Sequence, residues 1–156
     1  MNTARCCSGT RLHDDRPRRD KKVLPHREPF ALVDEITACV PGESAEGVWH
    51  LTEDYPVFKG HFPGNPMLPG VLMVEALAQT GAYAMLVCPE FAGKLAVFGG
   101  IKSMKFRGQV KPGDDLVLKC NIIRKSSIGG TGAVRAEVNG KCACEGEIMF
   151  VFVKEQ

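Results

Sequence analysis

The chain has no CxxC pair, and its four histidines, His13, His26, His50 and His61, are scattered. Zinc centres need ligands clustered at short spacing, so no metal is expected, and no motif implies an organic cofactor. The seven cysteines (Cys6, Cys7, Cys39, Cys88, Cys120, Cys142 and Cys144) are odd in number, and the first 22 residues hold no apolar signal core. Reduced thiols and a cytoplasmic location are expected in place of a secreted disulfide framework. The most apolar segment, residues 71–87, is 17 residues long, short of the roughly 20 that cross a bilayer. No membrane insertion is expected.

A basic excess is also missing from the part that folds. Seven of the 20 basic and three of the 18 acidic side chains lie in residues 1–22, which leaves 13 against 15 in residues 23–156. Nucleic-acid binders carry a basic face, so that class is set aside. The polar stretch 1–22 reads as a solvated, poorly ordered tail, and 23–156 as a single domain.

What is present is one helical segment among strands. Residues 30–40 and 44–52 read as strands separated by the turn signal Pro41-Gly42. In the second, Trp49 and Leu51 share one face, and Val48, His50 and Thr52 the other. Residues 53–59 read as a short helix or turn, followed by a proline- and glycine-rich loop, 59–70. Residues 71–87, VLMVEALAQTGAYAMLV, are apolar almost all round, the mark of a buried helix, with Pro69 suited to its first turn. Strands are expected at 95–110, 115–125, 131–139 and 141–153. Turn signals stand at Pro112-Gly113-Asp114, Gly129-Gly130 and Asn139-Gly140, the last a two-residue hairpin signal. Together these give an α+β fold, an antiparallel sheet curved around one long central helix.

Three features carry chemistry. Glu75 interrupts the buried helix, and an unpaired buried carboxylate is costly. Gln79, four residues on, shares its helical face and can hold one carboxylate oxygen. His61 stands in the loop Gly60-His61-Phe62-Pro63-Gly64 and can act as a base near neutral pH. Gly70 opens the helix, where backbone amides lack internal acceptors and can steady the negative charge of an enolate-like thioester. A base, an acid and an oxyanion donor in one loop–helix unit suit removal of water from a 3-hydroxyacyl chain.

The same residues carry a resemblance. Pro25-His26-Arg27, Phe30-Ala31-Leu32-Val33-Asp34, Gly60-His61-Phe62-Pro63-Gly64 and Pro69-Gly70-Val71 with Glu75 and Gln79 resemble the 3-hydroxyacyl-[acyl-carrier-protein] dehydratases of type II fatty acid synthesis. Phe98-Gly99-Gly100-Ile101, Lys105-Phe106-Arg107 and Val110 to Asp114 extend the match over about residues 23–153. The resemblance implies a hot-dog fold that dimerises through its sheets, often as a trimer of dimers. It also implies His61 and Glu75 as catalytic residues, a Gly70 amide on the thioester, and Gln79 in support of the acid. It places His61 of one subunit opposite Glu75 of its mate. Phe62, Val97 and Phe98 are expected to line the substrate site; Val97 stands where relatives often carry a gating tyrosine. The expected partner is acyl carrier protein, and Lys102, Lys105, Arg107 and Lys111 are candidates for the patch that meets it.

Two other functions fit the same residues less well. A hot-dog thioesterase would use Glu75 to activate water, but leaves the His61 motif unexplained. A non-catalytic acyl-binding regulator has no need of a carboxylate in a buried helix. His26 and His50 are read as structural, and Cys142 and Cys144 as core or surface thiols.

Overall fold

The computed structural model describes residues 22–154; the expected disorder of the tail lies outside the described residues. The element order is β1 (Glu35–Val40), β2 (Ser44–His50), a 3-10 turn (Pro56–Lys59), α1 (Gly70–Leu86), β3 (Lys94–Phe106), β4 (Asp115–Ser126), β5 (Gly129–Val138) and β6 (Lys141–Lys154). All six strands form one sheet in the order β1-β2-β4-β5-β6-β3, and every neighbouring pair is antiparallel. One helix against one antiparallel sheet is the expected α+β class.

The helix is held by what it buries. Met73, Val74, Ala76 and Leu77 are almost fully inaccessible, and they meet Leu116, Leu118 and Cys120 of β4 and Trp49 of β2 in one core. Each large apolar side chain so buried contributes about 1.5–3 kcal/mol relative to exposure. On β2, Ala45, Gly47 and Trp49 face inward, as the two-residue period requires. A second cluster, Leu24, Ala82, Met85, Leu86, Phe91, Phe150 and Phe152, closes the far end of the helix. Burial pushes the thiols of Cys120 and Cys144 up to about 12 and about 11, so both behave as inert core atoms.

Three expectations are corrected. β1 begins at Glu35, not at residue 30, because residues 30–32 bond to the Gln79 side chain instead of to a strand. Consecutive strands do not all pair: β3 lies at the sheet edge beside β6. The turn at Pro112-Gly113-Asp114, closed by Lys111 N–H donating to Asp114 Oδ2 at 2.8 Å, therefore leads into the middle of the sheet. Gly129-Gly130 starts β5 and is not the turn. A side chain on Gly129 would collide with the carbonyl of Phe150, so the glycine permits close strand approach. The Asn139-Gly140 hairpin is as expected, with φ of 50° and 77°.

His50 closes one end of the β2–β4 pair. Its Nδ1 lies 2.6 Å from Asp115 Oδ1 and its Nε2 3.5 Å from Glu35 Oε1. The bond to Asp115 raises its pKa above the ordinary value, and the charges of Asp115, Asp34 and Glu35 add to that against the cost of burial. A raised histidine pKa stabilises the fold fully below the unfolded pKa of about 6.5, and the gain is lost as pH rises through the folded value. Unfolding free energies from denaturant titrations should therefore fall between pH 6 and pH 8 by the about 0.2–1 kcal/mol of an exposed pair. The same titration of His50→Gln should lack that component; an unchanged slope would refute the assignment.

Candidate active site

His61 follows the 3-10 turn and is fixed by its backbone. Its N–H donates to Val57 O at 3.1 Å, and Met67 N–H donates to His61 O at 2.8 Å. Its Nδ1 lies 2.8 Å from Met67 O. A carbonyl oxygen only accepts, so Nδ1 carries the proton and Nε2 keeps the lone pair a base requires. Phe62 stacks on the imidazole, ring centroids 3.9 Å apart.

Met67, Leu68, Gly70, Val71, Phe106 and Arg107 join His61 around an open cavity of about 640 Å³. Gly70 is the first residue of α1, so its N–H stands outside the helix's own hydrogen-bond ladder. A Cβ there would come within 2.7 Å of the Phe106 ring, which makes glycine the residue this wall accommodates.

Glu75, one turn into α1, faces a different cavity. Its side chain keeps 18% exposure, so it is half-buried where the sequence suggested full burial. Gln79, 1% exposed, is saturated: Nε2 donates to Glu75 Oε1 at 3.0 Å and to Phe30 O at 2.9 Å, and Oε1 accepts from Leu32 N–H at 3.1 Å. One buried amide thus fixes the carboxyl and ties residues 30–32 to the helix. Glu75, Gln79, Ala78, Ala82, Val97 and Phe98 are among the walls of a cavity of about 270 Å³ that runs toward Phe150.

Within one chain the site residues are therefore divided. His61 and Gly70 line one cavity, and Glu75, Gln79, Val97 and Phe98 line the other. The loop and the helix are consecutive, as expected from linear spacing, but within one chain their acid and base line separate cavities. Phe62 borders neither of these two cavities and contacts the imidazole instead. His26, read as structural, is brought to the acid, with Nε2 3.7 Å from Glu75 Oε1. The Pro25-His26-Arg27 motif was the signal for it, but no helical or strand period links it to Glu75. Among the described residues, no group of three or more His, Cys, Asp or Glu side chains could hold a metal ion.

The comparisons with known proteins bear on family and fold. The FabA-like domain model matches residues 24–147. A 3-hydroxyacyl-[acyl-carrier-protein] dehydratase FabZ of Ligilactobacillus salivarius is 51% identical over 131 residues, covering 84% of this chain and 94% of that protein. The enzymes of the same name from Enterococcus faecalis and Clostridium botulinum are 47% and 49% identical, over 84% and 86% of this chain and 93% of each relative. In fold, the chain is similar to the dehydratase heterocomplex ApeI:P of Xenorhabdus doucetiae, with a TM-score of 0.74 at 16% identity over 86% of this chain and 91% of that one. A hypothetical thioesterase of Streptococcus pneumoniae gives 0.60 at 11% identity over 78% and 87%. These likenesses identify the α+β architecture as the hot-dog fold. With near-full-length identity of about one half to curated relatives, the chain belongs to the FabA-like family of 3-hydroxyacyl-[acyl-carrier-protein] dehydratases.

Proposed function

We propose that the protein dehydrates 3-hydroxyacyl-[acyl-carrier-protein] to the trans-2-enoyl thioester in fatty acid elongation, with His61 as base and Glu75 as acid. The observation that carries the reaction is the 51% identity to a dehydratase of that name over 94% of its length. His61 Nε2 takes the α-proton. The electron pair of the C–H bond moves into the thioester, whose oxygen is met by the Gly70 amide at the positive end of α1. The pair then forms the C2–C3 double bond as the C3–O bond breaks, and Glu75 gives the departing hydroxyl its proton. Water leaves, and the reaction is balanced without any redox partner.

The complete site is built by two copies of the chain. The outer edge strand β3 is 13 residues long and carries Val97, Phe98, Ile101 and Phe106 at 41–55% exposure. A long apolar edge calls for cover, and a second β3 across a two-fold axis supplies it. That arrangement sets His61 of the partner subunit beside Glu75 and joins the two cavities. The resemblance extends this to a trimer of dimers. Arg107 at the rim of the His61 cavity, with Lys102 and Lys105 exposed on the same strand segment, supports docking of an acidic carrier protein there. Among the described residues no helix is long and apolar enough to cross a membrane. Five free cysteines among them suit a reducing compartment, and the cytoplasm is where we place the enzyme.

The test is one assay on 3-hydroxybutyryl-carrier protein with both products followed. Accumulation of the 2-enoyl thioester is expected. Release of free thiol with no enoyl product would make the protein a thioesterase and overturn the proposal.

A further inference from the structure

The segment that carries His26 is anchored on both sides. Leu24, fully buried, sits in the cluster around Phe91 and Phe152. Arg27 Nη1 donates to Leu24 O at 2.8 Å and to His26 O at 2.9 Å, which ties the intervening backbone. Beyond it, Phe30 and Leu32 are held by the Gln79 amide. His26 therefore cannot drift from the helix, and its imidazole lines the same cavity as Glu75.

Two nitrogen-bearing side chains converge on one oxygen of the acid. Gln79 Nε2 donates to Glu75 Oε1 at 3.0 Å, and His26 Nε2 stands 3.7 Å from the same atom. The second distance exceeds a hydrogen bond, but catalytic contacts are often long without substrate and tighten in the Michaelis complex. A carboxyl group whose Oε1 accepts two donors has its proton on Oε2. Which oxygen carries the proton decides whether it points at a leaving hydroxyl or away from it.

We propose that His26 is a positioning residue for the acid: with Gln79 it holds Glu75 Oε1, so that Oε2 presents the proton to the C3 hydroxyl. The proposal rests on Glu75 being the acid. It gives the imidazole a task that a general structural role does not, because only its N–H matters. His26→Phe keeps a flat ring and removes the donor. His26→Gln keeps a donor on a side chain of similar reach.

The experiment measures kcat, KM and thermal midpoint on a short 3-hydroxyacyl thioester. His26→Phe should lose about tenfold or more in kcat, the scale of one hydrogen bond to an ionisable group, with KM within about twofold and an unchanged midpoint. His26→Gln should recover most of that loss. In a Glu75→Gln background, His26→Phe should cost nothing further, because the proton it positions is gone. Wild-type kcat in His26→Phe, an equal loss in both variants, or a loss confined to KM overturns the proposal. If His26→Phe does not fold, His26→Leu is read by the same criteria. Failure of the underlying reading looks different: Glu75→Gln itself would then retain turnover.

Discussion

His61→Ala and Glu75→Gln should each lower kcat on a 3-hydroxyacyl thioester by about 10²–10⁴-fold, the usual contribution of a positioned acid or base. Thermal midpoints should stay near wild type. The two losses have separate origins. At His61 the bond from Nδ1–H to Met67 O fixes the neutral tautomer with Nε2 as acceptor, so the alanine variant has no group to take the α-proton. The loop keeps its shape, because its backbone bonds, Met67 N–H to His61 O and Leu68 N–H to Val110 O, do not involve the side chain. At Glu75 the amide of glutamine occupies the same volume and can still meet Gln79, but has no acidic proton to give. The helix is not at risk, since Met73, Val74, Ala76 and Leu77 around the site are the residues that bury it. Near-wild-type turnover in either well-folded variant would remove that residue from the chemistry.

What the sequence made legible, and what it did not, follows from the reach of each interaction. The helix was readable to within a residue at each end because its apolar content is continuous and Pro69-Gly70 punctuates its start. The β5–β6 hairpin was readable because Asn139-Gly140 accepts the positive φ that a tight turn demands. Both signals are local. Residues 30–34 defeated the same reasoning: they carry strand-forming side chains, yet residues 30–32 bond to an amide 47 to 49 residues away, and the strand ladder is entered only when Asp34 N–H reaches Val48 O. The placement of β3 at the edge beside β6 is a choice of topology that no local pattern encodes. The candidate site shows the same limit. Gln79 on the face of Glu75 follows from a four-residue spacing, whereas the approach of His26 to Glu75 spans the sequence and depends on Leu24 being buried under the far end of α1.

The largest effect expected comes from mixing two inactive proteins. The loop bearing His61 is pinned at both ends: His61 N–H bonds to Val57 O, Phe62 and Asn65 bond each other's carbonyls, and Leu68 N–H holds Val110 O. Within the chain the base and the acid line separate cavities. The proposed two-fold dimer resolves this by supplying each Glu75 with His61 of the partner subunit. His61→Ala and Glu75→Ala are each expected to be inactive, since every site of either homodimer lacks one group. Unfolded together in equal amounts and refolded, they should pair at random, so that about half of all dimers hold one chain of each kind. In such a dimer one site collects both substitutions and the other collects neither. About a quarter of all sites should therefore regain wild-type chemistry, measured as the rate of enoyl thioester formation against refolded wild type. Sites built from single chains behave otherwise: each keeps its own defect whatever its neighbour, and no activity returns. A flat result after subunit exchange has been verified by two distinguishable tags would therefore reject the shared site. It would leave the dehydration reaction standing, because either arrangement supplies the same base, acid and amide to the substrate, and only the chain that provides each one differs.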